Sequence, residues 1–358
     1  MSEAQFDQVR AEAFGEKVTG ILNSGALSLM ISLGHRSGLF DAMGRIPPGD
    51  SAAIASAANL NERYVREWLG AMVTGGVVEF DPATDEYHLP AEHAASLTRD
   101  ARPGNLAVTA QWIPLLGAVE DRILACFEKG GGVPYSEFTR FHPVMAEESD
   151  QTVVAMLIDT ILPIIPGGIA ALEAGIDVVD IGCGSGRAIN AMAAHYPKSR
   201  FSGYDISQEG VAAANALAKE KGLANLSFEV RDIAKLDNPN AFDLVTAFDV
   251  IHDQAKPDAV LSAVASVLRP DGTFLMQDIA GTSHVDQDID HPIGAFLYTV
   301  SCMHCMTVSL AEDGAGLGAM WGEETARRML GEAGFDSVDV VSLPHDLINY
   351  FYVARKTT

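Results

Sequence analysis

The chain has 358 residues, enough for two domains that each bury a core of their own. Its formal charge of −24 disfavours nucleic acid and anionic membranes as partners. Four cysteines in a chain this long point to reduced thiols rather than an exported disulfide framework. Residues 1–10 carry Glu3 and Asp7 and no apolar run, so no signal peptide is expected and the cytoplasm is the expected compartment. The greasiest stretch, residues 153–176, is interrupted by Asp159, Pro163, Pro166, Gly167 and Gly168. It reads as a buried helix and a turn, and no membrane association is expected.

Residues 17–34 predict a helix that is apolar on more than one face, with Val18, Ile21, Leu22, Leu27, Leu29, Met30, Ile31 and Leu33. Such a helix is usually buried, and in a small first domain a second copy of the chain could bury it. A homodimer is therefore expected. Residues 51–58 form a short helix that Asp50 or Ser51 can cap. Residues 60–62 turn the chain into a second helix over 63–73, with Val65, Leu69 and Met72 at helical spacing. Residues 77–80 and 86–89 pair as a hairpin around 81–85. Residues 1–100 thus read as a winged helix. A DNA-reading face would need basic residues, yet the segment carries a net charge of −7, and Arg63 and Arg66 are flanked by Glu62 and Glu67. A dimerisation module is expected rather than a DNA reader, with no nucleic-acid partner.

Residues 101–175 read as a mostly helical linker. A helix over 106–129 stops at Gly130-Gly131-Gly132, and a loop with Tyr135, Phe141, His142 and Met145 follows. From residue 176 the chain alternates strand and helix, which predicts an α/β fold with a parallel sheet. Strands are expected over 178–181, 200–204, 226–230, 243–248 and 272–279. A final pair over 337–342 and 348–354 follows a helix within 321–335.

The first of these strands runs into Asp180-Ile181-Gly182-Cys183-Gly184-Ser185-Gly186, and residues 187–195 follow as a helix. A strand, a glycine turn and a helix start make a Rossmann-like nucleotide site, where free backbone N–H groups and a positive dipole end meet the ligand. A dinucleotide fingerprint would want a third glycine where Arg187 stands. Asp205 closes the second strand, placed to accept hydrogen bonds from both hydroxyls of a ribose or to cap the helix after it.

This order, acid-x-Gly-x-Gly-x-Gly, resembles motif I of the class I S-adenosylmethionine (SAM) methyltransferases. The resemblance implies a seven-stranded Rossmann-like sheet whose last hairpin is antiparallel, occupying residues 176–358. It implies SAM as cofactor and S-adenosylhomocysteine as product. Asp180, Gly182, Gly184 and Gly186 would hold the methionine part, Asp205 the ribose and Asp232 the adenine amino group, with Ile206, Ile233, Phe248 and Asp249 also in the cofactor site. The N-terminal winged helix resembles that of small-molecule O-methyltransferases, in which the linking region roofs the active site. Tyr135, Phe141, His142 and Met145 are then candidates for acceptor contact, together with Met303 and His304 on the helix after the fifth strand. The run Cys305-Met306-Thr307-Val308-Ser309-Leu310 and the Gly316-Leu317-Gly318 loop resemble a group of bacterial, several of them mycobacterial, winged-helix methyltransferases.

Methyl transfer from a sulfonium is an in-line displacement, and the protein mainly aligns donor and acceptor. A hydroxyl acceptor gains from losing its proton, and histidine is the usual base near neutral pH. His252-Asp253 stands where O-methyltransferases carry a His-Asp pair, so the resemblance implies His252 as base with Asp253 beside it; Gln254 follows where the relatives usually have an aromatic residue. Cys302-x-x-Cys305 lacks a second ligand pair at zinc-site spacing, so no metal is expected. The expected activity is O-methylation of a small-molecule acceptor. The alternatives are a SAM-responsive winged-helix transcriptional regulator, a SAM-binding protein without catalysis, and a thiol or arsenic methyltransferase using Cys302 and Cys305.

Overall fold

The computed structural model describes residues 6–356. The chain divides into two compact units, with the boundary between Pro114 and Leu115. That boundary falls inside the segment expected as a linker. The single helix expected over 106–129 is a 3-10 turn and two helices, Trp112–Gly117 and Glu120–Lys129, because Val119 leaves helical geometry at φ −113°, ψ 6°.

In the first unit, helix α1 (Gln8–Ser37) starts at Asp7, whose side chain accepts from Arg10 N, and ends at Gly38 in the left-handed region. It is longer than the expected 17–34. Helices α2 (Leu39–Met43), α3 (Ser51–Ala58) and α4 (Glu62–Thr74) follow. Asp50 and Asn61 cap α3 and α4. Strands β1 (Glu79–Asp81) and β2 (Glu86–His88) pair antiparallel as the wing. Phe40, Ile54, Leu69 and Met72 are buried between the helices. Trp68 Nε1 donates to Met30 O at 2.8 Å and ties α4 to α1. Gly34 lets the two approach, since a Cβ there would stand 2.6 Å from the Trp68 ring.

The expectation that α1 is buried needs correction within the chain. Leu27, Met30 and Ile31 are half-buried, but Ile21 and Leu22 are 57 % and 68 % exposed, and Phe14, Leu29 and Leu33 are exposed too. Only one side of the helix packs on its own unit. On α4, Arg63 and Arg66 pair with Glu67 and Glu62 one turn away.

In the second unit, a seven-stranded sheet runs in the order β5-β4-β3-β6-β7-β9-β8. Its strands are β3 (Asp177–Ile181), β4 (Arg200–Asp205), β5 (Leu226–Val230), β6 (Phe242–Phe248), β7 (Leu268–Ile279), β8 (Ser337–Val341) and β9 (Asn349–Arg355). The pairs among β3 to β7 are parallel, and β9 runs antiparallel to both β7 and β8. This is the Rossmann-like order with a closing antiparallel hairpin. Val178, Val179, Ile181, Val245, Ala247, Phe274 and Leu275 are fully buried, because helices cover both faces of a parallel sheet. At the amino ends, Arg200 clamps Asp177 through two bonds of 2.6 and 2.7 Å, and Arg269 reaches Asp177 and Asp243, so β3, β4, β6 and β7 share one ion network. The carboxyl ends lie opposite, with the order of strands reversing between β3 and β6.

The helix Gly294–Ala311 is long and apolar enough, by composition, to cross a membrane. It carries a π-turn at Ser301–Cys305 that buries His304 and Cys305. Leu69→Ala in the first unit should cost about 2–5 kcal/mol of stability, as for other fully buried leucines, and lower the midpoint of its urea transition.

Candidate active site

The loop after β3 carries three glycines with positive φ, at 62° for Gly182, 50° for Gly184 and 68° for Gly186. Gly182 and Gly186 admit nothing larger. A Cβ on Gly182 would stand 2.5 Å from Val250, and one on Gly186 would stand 2.8 Å from Ala214 and Phe228. The loop is held from β4. Cys183 N donates to Tyr204 O at 3.1 Å, and Gly184 N donates to Asp205 Oδ2 at 2.7 Å. Asp205 Oδ1 accepts from Ser207 N at 2.7 Å, and Ser207 caps the next helix. Asp205 therefore tethers the backbone on both sides, and each of its oxygens still has a lone pair for a ligand.

These strand ends surround a cavity of about 410 Å³. Of the residues expected to hold a cofactor, Asp180, Gly182, Gly184, Asp205, Ile206, Asp232, Ile233, Phe248 and Asp249 line it. Gly186 does not; it caps the helix Arg187–His195 behind the wall. Asp180 is buried and accepts from Thr246 Oγ1 at 2.6 Å. Burial pushes its carboxyl up to about 7, against the Thr246 bond and with help from Asp205. Asp249 sits at φ 56°, a left-handed position that aspartate tolerates better than most residues. Burial holds its carboxyl well above the usual range too. Asp232 accepts from Ala234 N at 3.0 Å and pairs with Lys235.

The loop after Gly130 forms the opposite wall. Val133 N donates to Thr307 Oγ1 at 2.8 Å, and Gly132 passes so close to the helix Met306–Ala311 that a Cβ would overlap Thr307 O. The chain beyond this anchor brings Tyr135, in a 3-10 turn, and Phe141, His142 and Met145 to the cavity; the last three lie on a helix, Phe141–Gln151, where a loop was expected. His142 Nε2 lies 3.3 Å from Ser207 Oγ. Met303 and His304 do not line the cavity, contrary to expectation. The π-turn turns His304 inward, where it stacks on Phe141 with centroids 4.5 Å apart and meets the edges of Tyr135 and Phe138. Burial, with His252 nearby, lowers its pKa to about 4 against the pull of Asp253, so it is neutral.

The His252-Asp253 pair sits in a 3-10 turn after β6. Asp253 faces the cavity and His252 lies behind it, 4 % exposed. Both ring nitrogens of His252 are engaged. Nδ1 is 2.7 Å from Asp278 Oδ1, and Nε2 is 3.1 Å from Asp253 Oδ1. Burial alone would favour the neutral ring, but Asp278 and Asp253 override it and hold the His252 pKa well above its ordinary value. Burial likewise opposes charge on Asp253, and His252 overrides it, keeping that carboxyl below the usual range. Tyr135 OH donates to Asp253 Oδ2 at 2.8 Å across the cavity mouth.

Sequence reasoning missed Asp278, which orients His252 and itself accepts from Trp321 Nε1 at 2.9 Å. The signal was an acid at the carboxyl end of an otherwise apolar strand. It also missed Arg187 and Arg231, both on the cavity wall, with Arg231 packed over the Tyr204 ring.

Comparison with known proteins bears on this geometry. Residues 25–99 match a family described as an Rv2258c-like winged HTH domain, and residues 172–333 match one described as a methyltransferase domain. The ubiquinone biosynthesis O-methyltransferase of Neisseria meningitidis is 29% identical over 108 residues, 29% of this chain and 44% of that protein. The fatty-acid O-methyltransferase of Mycolicibacterium smegmatis is 31% identical over 105 residues, 29% of this chain and 37% of its own length. The chain thus spans less than half the length of these curated relatives. Among solved structures, human N-acetylserotonin methyltransferase in complex with SAM superposes with a TM-score of 0.68 at 17% identity, covering 100% of both chains. The mitomycin 7-O-methyltransferase MmcR gives 0.70 at 18% identity over 98% of this chain and 100% of that one. At these identities the likeness is one of fold.

Asp278→Asn should lower the His252 pKa, because it removes the larger of the two charges that favour the imidazolium. A histidine NMR titration reads this directly, and an unmoved value would detach Asp278 from the pair. By linkage, a raised folded value stabilises the fold below the unfolded pKa of about 6.5. That stability is lost as pH rises through the folded value.

Proposed function

The chain belongs to the methyltransferases that carry an N-terminal winged helix-turn-helix domain, and on that premise we propose that it moves a methyl group from SAM to an oxygen of a small molecule. The observation that carries this reading is the continuity of one cavity, from the glycine loop and Asp205 at one end to Asp253 at the other. All of Asp205, Asp180, Asp249, Ile206, Ile233 and Phe248 line that cavity; in this reading Asp205 accepts from the ribose, Asp180 and Asp249 meet the ammonium and sulfonium of SAM, and the three apolar residues wall the adenine. Several of the proteins this chain resembles are O-methyltransferases, which supports oxygen as the acceptor atom.

In the transfer, the acceptor oxygen attacks the methyl carbon as the bond to sulfonium sulfur breaks, leaving S-adenosylhomocysteine and a methylated oxygen. The hydroxyl proton must leave, and Asp253 is the group that meets it. Its carboxylate is too weak a base to keep the proton. We assign His252 as the base that receives it through Asp253. His252 accepts a proton only after losing its own, so turnover should rise with pH through a value above that of an ordinary histidine. His252→Gln should lower kcat about 10²- to 10⁴-fold with SAM affinity nearly intact. Unchanged turnover would leave His252 a structural residue. Asp205→Ala should weaken SAM binding by roughly 2 kcal/mol or more in a calorimetric titration.

The deciding experiment is incubation with methyl-labelled SAM and a bacterial extract, after SAM binding is established. Label in the small-molecule fraction is expected. Label on protein or nucleic acid would replace the substrate class, and tight SAM binding without label would favour a regulator or a non-catalytic binder.

We further propose a homodimer in the cytoplasm. The exposed apolar side of α1, with Phe14, Ile21, Leu22, Leu29 and Leu33, supports burial against a second copy. Light scattering should give twice 38.0 kDa, and Leu22→Glu should shift the mass toward the monomer. A monomer at all concentrations would remove this proposal.

A further inference from the structure

We propose that His252, Asp253 and Cys305 form a binding site for a divalent transition ion of the zinc type, open on one side toward the cavity. One ligand atom from each lies within 4.8 Å of the other two. His252 Nε2 and Asp253 Oδ1 are already 3.1 Å apart. Tetrahedral zinc takes nitrogen and oxygen at about 2.0–2.2 Å and thiolate at about 2.3 Å, which puts neighbouring ligand atoms about 3.3–3.7 Å apart. The trio therefore needs a closure of about 1 Å on the sulfur side to hold such an ion.

Three independent features point the same way. First, Asp253 divides its oxygens. Oδ2 accepts from Tyr135, while Oδ1, the one facing His252, is buried without an aligned hydrogen-bond partner among the described residues. His252 Nε2 stands 3.1 Å from this oxygen without hydrogen-bond alignment, and a metal ion between the two would give Oδ1 an aligned partner. Second, Asp278 on Nδ1 fixes the imidazole so that Nε2 is the nitrogen presented to the trio, and Trp321 fixes Asp278 in turn. Carboxylate–histidine–metal chains are the usual support of histidine ligands. Third, Cys305 comes to this point from the π-turn Ser301–Cys305, a local departure from α geometry often found at functional positions. Cys302, the other thiol of that turn, is half-buried and belongs to no such cluster among the described residues.

One nitrogen, one oxygen and one sulfur donor suit Zn²⁺ or Co²⁺, whereas Mg²⁺ and Ca²⁺ prefer oxygen alone. Three protein ligands with an open fourth position are the pattern of sites that admit water or substrate. Asp253 lines the cavity, so the open side faces the place where an acceptor hydroxyl would lie. There the ion would favour loss of the hydroxyl proton in place of His252, whose Nε2 cannot act as a base while it holds the ion. That role rests on the methyl-transfer reading, whereas the binding of the ion does not.

The test titrates the full-length protein with Co²⁺ in the presence of a non-thiol reductant, and reads the thiolate-to-cobalt charge-transfer band. One equivalent should bind, Zn²⁺ should displace it, Cys305→Ser should abolish the band, and Cys302→Ser should keep it. Should Cys305→Ser fail to fold by circular dichroism, Asp253→Asn takes its place and should weaken cobalt binding at least tenfold. Absence of the band near stoichiometric cobalt, or a band that survives Cys305→Ser, overturns the site. SAM binding is measured on the same samples. Protein that binds SAM and not cobalt loses the metal site alone, and protein that binds cobalt and not SAM loses the transfer reading alone.

Discussion

The second unit depends on what Asp205 does with its two oxygens. One holds Gly184 N and the other holds Ser207 N, so a single carboxylate sets the loop after β3 and the start of the helix after β4. The loop cannot relax without it, because Gly182 and Gly186 are pressed against Val250, Ala214 and Phe228 with no room for a side chain. The strand order reverses beside this loop, which is why a crevice opens there rather than along the sheet face. The ion network among Asp177, Arg200, Arg269 and Asp243 fixes the same strands at their other ends, away from the crevice.

The crevice concentrates acid. Asp180, Asp205, Asp232, Asp249 and Asp253 line it, against Arg187 and Arg231. Burial holds Asp180 near 7 and pushes Asp249 up as well, so an empty cavity keeps part of that charge protonated. A cationic ligand changes the balance, since a positive charge nearby favours the ionised carboxyl. The site is thus matched to a ligand that carries positive charge and loses some of it on reaction. A sulfonium that becomes a thioether does so, and the neutral product interacts less with the same carboxylates.

Most of this was legible where local chemistry decides. The three glycines, the acid before them, the carboxylate at the end of β4 and the alternation of strand and helix rest on backbone conformations that few residues permit, so they read directly. The His-Asp pair was legible as residues and not as geometry. Asp278 is twenty-six positions from His252, and Cys305 is further on; only the return of β7 and of the long helix to the same strand ends brings them together. The π-turn that turns His304 inward has no pattern in the sequence, which is why His304 and Met303 were expected on the wall. The apolar residues of α1 were legible, but not which of them the first unit itself covers. Packing on Trp68 and Phe40 occupies one side of the helix, and the residues on the other side remain exposed.

Tyr135 shows how the acceptor end of the cavity is closed. Its hydroxyl donates to Asp253, its ring meets Phe141 and His304, and the chain before it is anchored at Gly132 and Val133. Asp253 Oδ2 keeps a second lone pair, so a ligand hydroxyl could donate to it beside Tyr135. Apolar ligand surface would meet the rings of Tyr135 and Phe141 there, which offer few polar partners. The chain after Gly130, with the helix Phe141–Gln151, thus shapes one end of the cavity, and the glycine loop with Asp205 shapes the other.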